Sequence, residues 1–171
     1  VDAQTIRTIY ATLASVFPEV ETWITEESDL LLIAGKRPIT YDVARLRARI
    51  TEEPWKTALA RVWRADDLEA VFARYVANAG FARNLAALEG AALNTDDMTR
   101  VEFGFARGLG FRTREFDVAE LRAAAREHGY AAPRLSGGSL DRAIVAERAV
   151  PMRGADWRPP PPPPEGAPAG L

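Results

Sequence analysis

Five consecutive apolar residues, Leu30-Leu31-Leu32-Ile33-Ala34, set between Asp29 and Gly35, limit what this chain can become. A strand without alternation needs cover on both faces, as in the sheets of α/β proteins. The stretch just before it does alternate. Val20, Thr22 and Ile24 fall on one side and Glu21, Trp23 and Thr25 on the other, the period of a strand with two unlike faces. Together the two stretches predict a β-hairpin at a sheet edge, turning through Glu26-Glu27-Ser28. A lone two-stranded hairpin is marginal in water, so this pattern calls for further strands and covering helices.

Upstream there is one helical pattern. Asp2 is a suitable N-cap, and Ile6, Ile9, Tyr10, Leu13, Val16 and Phe17 recur at three- and four-residue spacings, a broad apolar face suited to lying on a sheet. The order helix, strand, strand, in a chain that starts at Val1 inside the helical pattern, is expected of the last third of a nucleotide-binding-type α/β domain whose first strands and glycine-rich loop lie upstream. A small complete α+β domain is the alternative.

Charge names no partner. The 171 residues carry 22 basic and 24 acidic side chains, net -2, so no basic field calls for nucleic acid or an anionic membrane. The absence of cysteine excludes disulfides, thiolate nucleophiles and Cys-ligated metals within this sequence, and the single histidine, His128, argues against histidine metal clusters and a Ser-His-Asp triad. No apolar run approaches the roughly 20 residues of a membrane helix, and no signal peptide opens the sequence; a cytoplasmic location is expected.

After the hairpin, Asp42 is expected to cap a helix with Val43, Leu46 and Ile50 inward and Arg45, Arg47 and Arg49 outward, a solvated comb or a phosphate grip. Pro54 opens a helix with Trp55, Leu59, Val62 and Trp63 along one stripe. Asp66 or Asp67 caps a third that buries Leu68, Val71, Phe72, Tyr75 and Val76 and ends at Gly80; Phe81, Leu85 and Leu88 follow as a short helix closed by Gly90. Helices in series of this kind suggest a cap or lid.

The densest polar cluster is Asn94-Thr95-Asp96-Asp97-Met98-Thr99-Arg100, running into an alternating stretch in which Val101, Phe103 and Phe105 form the apolar side of a strand. Asp96 and Asp97 are the candidate site. Adjacent carboxylates hold a cationic amine by charge-assisted hydrogen bonds, or serve structure by capping or pairing with Arg100 and Arg107. Asp117-Val118-Ala119-Glu120 reads as a capping box opening a helix that ends near His128-Gly129, which makes His128 a helix C-terminal residue favoured by the dipole. Pro133 and Ser136-Gly137-Gly138-Ser139 read as a linker, Leu140, Ile144 and Val145 as a last small helix, and the proline run at 159–164 as part of a polyproline II spacer.

The sequence Thr5-Ile6-Arg7-Thr8-Ile9-Tyr10-Ala11-Thr12-Leu13-Ala14-Ser15-Val16-Phe17-Pro18-Glu19-Val20-Glu21-Thr22-Trp23, then Asp29-Leu30-Leu31-Leu32-Ile33-Ala34, resembles the late helix and final hairpin of the spermidine synthase-like proteins. Leu93-Asn94-Thr95-Asp96-Asp97 with Val101-Glu102-Phe103 is similar to an acidic motif of their large, often membrane-fused or repeat-containing members. The resemblance covers residues 1–107. It implies the C-terminal part of a Rossmann-like methyltransferase fold, whose final strand is inserted antiparallel, at residues 1–40. A mostly helical cap with the acidic motif at 41–110, a helical extension at 111–150 and a disordered proline-rich tail at 151–171 complete the expected organisation.

Family chemistry implies a transferase acting on decarboxylated S-adenosylmethionine or S-adenosylmethionine, with the nucleotide loop, ribose-binding acid and catalytic acid all upstream. No catalytic, cofactor-binding or metal-binding residue is therefore carried over. The hairpin turn departs from the longer proline-, tyrosine- and tryptophan-bearing loop of polyamine synthases. The partner implied is the upstream Rossmann-like portion of the same protein, with homo-oligomerisation a further possibility; a helical protein-interaction module without catalysis is the competing reading.

Overall fold

The computed structural model describes residues 2–26, 29–87, 92–101 and 117–149. The fold is mixed α/β. Helix α1 (Ala3–Val16) is followed by strands β1 (Glu19–Glu26) and β2 (Asp29–Gly35), a short strand β3 (Tyr41–Asp42), then helices α2 (Val43–Ile50) and α3 (Trp55–Ala58). α3 runs on as a π-helical turn, Leu59–Trp63, before α4 (Leu68–Phe72), β4 (Tyr75–Ala77) and α5 (Ala79–Ala87). Helix α6 (Val118–Glu127), strand β5 (Leu135–Ser136) and helix α7 (Arg142–Arg148) complete it.

The expected hairpin is present: β1 and β2 pair antiparallel from Glu19 opposite Gly35 to Glu26 opposite Asp29. β1 is the central strand of three, in the order β2-β1-β4, all antiparallel. Both faces of β1 are buried. Val20 and Ile24 pack with Tyr10, Val76, Phe81 and Leu121, so α1, α5 and α6 cover that side. Trp23 packs on the other with Val43, Leu68, Phe72 and Tyr75. β2 differs from expectation. Leu30, Leu32 and Ala34 pack against the first core, but Leu31 and Ile33 are 41% and 37% exposed, so among the described residues the second face is only partly covered. An unbroken apolar run shows that both sides are apolar, not how fully each is covered.

The helix expected to run from Asp67 towards Gly80 ends at Phe72 instead. Tyr75, Val76 and Ala77 are all buried and extended, and they fill the second edge of β1. Aromatic and β-branched residues suit a strand, and burial on both faces removes the alternation that would have distinguished it from helix. Gly80 consequently lies inside α5, where it admits the Tyr130 ring: a Cβ there would sit 2.8 Å from Tyr130 Cε1. Residues from 1–40 and 41–110 thus share one sheet, and residues from 111–150 pack into its two cores.

Caps locate most helix starts. The side chains of Asp2, Asp42, Asp67, Asp117 and Asp141 each accept a backbone N–H from the first turn of the helix they precede. His128 is the C-cap of α6, with Gly129 at φ +74 beyond it. The stretch read as a linker is docked: Leu135 and Ser136 pair in parallel with Tyr41 and Asp42, and Gly137 and Gly138 press against Asp42 and Val43. Val16, expected on the apolar face of α1, is exposed, whereas Thr5, Thr8 and Ala11 are buried. Leu88 and Gly90, Phe103 and Phe105, and the proline-rich tail lie outside the described residues. Val101 is helical where a strand was expected. Among the described residues no helix is long and apolar enough to cross a membrane.

Candidate functional site

Asp96 and Asp97 stand at the tip of a turn closed by Met98 N–H donating to Thr95 O at 3.0 Å and Thr95 N–H donating to Met98 O at 3.2 Å. Both are exposed. Asn94 ties the segment to α1, its N–H donating to Thr12 Oγ1 at 2.9 Å, and its own Oδ1 accepts from Val101 N–H at 3.0 Å. Arg100, proposed as a partner for the carboxylates, has its Nη2 3.8 Å from Met98 Sδ; Arg107 lies outside the described residues.

A more enclosed arrangement lies at the start of β1. Strand alternation puts Glu19, Glu21 and Trp23 on one side of β1, and this side meets the aromatic core, so Glu21 is only 2% exposed. Tyr41 Oη donates to Glu21 Oε2, and Tyr75 Oη donates to Oε1 at 3.4 Å. Both phenols belong to an aromatic group around Trp23, whose ring centroid lies 5.8 Å from that of Tyr41, 5.1 Å from that of Tyr75 and 5.3 Å from that of Phe72. Trp23 Nε1 is buried and, among the described residues, has no hydrogen-bond partner.

Burial pushes the Glu21 carboxyl above its ordinary pKa. The hydrogen bonds from Tyr41 and Tyr75 pull it back in part; the nearby Glu19 charge adds to the rise and Arg134 opposes it. Burial, with the Glu21 charge, drives both phenols well above the usual tyrosine range, so they remain hydrogen-bond donors at any physiological pH.

Glu19 and Glu21 open onto a cleft of about 320 Å³. Its opposite wall is the turn into α5, with Asn78, Gly80 and Arg83, and its rim is the segment 130–134. Asn78 joins the α5 turn to the rim: its N–H donates to Tyr130 O at 2.9 Å, its Nδ2 to Ala132 O at 3.2 Å, and its Oδ1 accepts from Gly80 N–H at 2.9 Å. Arg83 Nη1 donates to Pro18 O at 2.9 Å, and Arg134 Nη1 stands 3.8 Å from Glu19 Oε2. Chemically, the cleft presents guanidinium donors and carboxylate acceptors together, beside a carboxyl that burial holds above its ordinary pKa.

Sequence reasoning passed over this site. Its signal was an acid, Glu21, sharing a strand face with Trp23, but Arg83 and Arg134 are brought to it only by the tertiary fold. The arginine comb of α2 divides: Arg47 forks onto Glu69, Nη1 donating to Oε2 at 2.9 Å and Nη2 to Oε1, while Arg49 pairs with Glu52 at 3.2 Å and stacks over Trp55. No group of three or more His, Cys, Asp or Glu among the described residues is arranged to hold a metal ion. Comparison with known proteins finds no matching family model, no matching curated protein and no matching solved structure.

Proposed function

We propose that this chain forms the sheet edge and part of the cover of a spermidine synthase-like transferase, with S-adenosylmethionine or its decarboxylated form bound by an upstream portion of the same protein. One observation supports the reading above the rest. β2 is seven residues long and strongly apolar, yet among the described residues its outer edge has no partner strand and Leu31 and Ile33 remain 41% and 37% exposed. A final strand inserted antiparallel into a larger sheet meets both needs, because an upstream strand pairs with its free edge and an upstream helix covers its open face.

The test compares the chain with a version extended upstream. In the extended protein the outer-edge amides of β2 are protected from hydrogen exchange and calorimetry with S-adenosylmethionine saturates; in the 171-residue chain those amides exchange freely and no binding is seen. Identical β2 exchange in both proteins removes the proposal.

The interaction-module reading has its own support, since Trp55 and Val62 on the α3 arm are 46% and 74% exposed. Under that reading β2 stays unprotected in the extended protein, and a bound partner protein shifts Trp55 fluorescence.

A further inference from the structure

The cleft below Glu21 is lined by Glu19, Glu21, the 78–83 turn and the 130–134 segment of this chain, and not by β2. We propose that it binds a compact zwitterion of the α-amino acid type, with the carboxylate taken by Arg83 and Arg134 and the ammonium by Glu21 and Glu19.

Size and charge balance select this class. A space of about 320 Å³ lies at the small end of ligand pockets and suits a metabolite, not a polymer. Its charged lining is two arginines and two glutamates. A diamine meets the glutamates but sets its charge against the guanidiniums, and a dicarboxylate does the reverse. A ligand carrying one charge of each sign matches both pairs, and mismatched like charges discriminate against the others.

Each contact has capacity to spare. A carboxylate offers about four acceptor positions, of which Tyr41 and Tyr75 occupy two on Glu21. Arg83 gives one N–H to Pro18 O, out of five that a guanidinium carries. The 3.8 Å separation of Arg134 from Glu19 is too long for a strong hydrogen bond, so a ligand carboxylate can take that guanidinium without breaking a good pair. The site is also held in place. The two tyrosines fix the Glu21 rotamer from the aromatic core, Asn78 fastens the α5 turn to the 130–132 rim, and Gly80 lets Tyr130 close on the α5 turn. Such bracing lowers the cost of ordering on binding.

The experiment is an amide-resolved NMR titration of the 171-residue chain with the common α-amino acids one at a time, with 1,4-diaminobutane and succinate as the single-charge-type controls. At least one amino acid is expected to saturate with a Kd below about 1 mM, shifting the amides of Asn78, Gly80 and Arg83, while both controls bind about tenfold more weakly or not at all. Glu21→Gln and Arg134→Gln are each expected to weaken binding by about tenfold or more. Arg134 is 54% exposed at its side chain, so its replacement spares the fold even if the Glu21 variant does not. No saturable amino-acid binding, controls that bind equally well, or unchanged affinity in Arg134→Gln each overturns the site. None of these outcomes touches the sheet-edge proposal, which rests on β2.

Discussion

Glu21 links the cleft to the stability of the fold, and its titration has a definite sign. Burial raises its folded pKa above the ordinary 4.5, so the neutral form is the one the fold prefers. Its contribution is fully present below the unfolded pKa and is lost as pH rises through the folded value. Glu69 runs the other way: Arg47 and the Asp141 amide hold its pKa down, so its contribution is present above the unfolded pKa and lost as pH falls through the folded one. Urea unfolding followed by tryptophan fluorescence should therefore show the wild type losing stability relative to Glu21→Gln as pH rises from about 4.5, with the difference levelling off above the raised pKa. A wild type that gains on the variant across that window would mean that Arg134 outweighs burial. Glu21 could have been picked out from its neighbours alone, since an acid facing the same way as Trp23 on a strand needs either solvent or donors. That Tyr41 and Tyr75 are those donors is a matter of how β3 and β4 dock, which local pattern does not encode.

At the scale of elements, helices announced themselves through their caps and the hairpin through its change from alternation to a continuous apolar run. Asp2, Asp42 and Asp117 are legible because a short acid before an apolar period has a specific local task, accepting first-turn amides. β4 was illegible because three buried residues carry no period, and the 136–139 stretch because Ser-Gly-Gly-Ser composition describes a flexible linker as well as a docked one. Two glycines separate those cases experimentally. Gly129 and Gly137 both have positive φ, +74 and +65, so an alanine at either meets backbone strain of about 1–2 kcal/mol. At Gly129 nothing lies within 4 Å of the added methyl, whereas at Gly137 it would fall 2.5 Å from Asp42 Oδ1, the atom that accepts the Arg45 N–H to cap α2. Gly137→Ala is expected to destabilise the chain by about 1 kcal/mol more than Gly129→Ala, the worth of a helix cap, measured by chemical denaturation. Equal costs would mean that the turn is not pressed against Asp42 and does work as a linker.

For the whole molecule, the unequal treatment of the two hairpin strands is the feature with most consequence. β1 is paired on both edges and buried on both faces, while among the described residues the outer edge of β2 has no partner strand and Leu31 and Ile33 are partly exposed. An edge of that kind recruits other strands, so the 171-residue chain is expected to self-associate at high concentration. Leu31 and Ile33 lie two residues apart on one face, and replacing both with lysine leaves the packed side of β2, Leu30, Leu32 and Ala34, unchanged. In the 171-residue chain, Leu31→Lys with Ile33→Lys should abolish self-association in sedimentation velocity while changing unfolding free energy by less than about 0.5 kcal/mol, as for other surface changes. In the upstream-extended protein the same pair should be strongly destabilising, because the two ammonium groups would then be forced under a covering helix without partners, where a buried charge is costly. Tolerance in both proteins would mean that β2 keeps its open face in the longer protein too, and the sheet-edge role would then have to be abandoned.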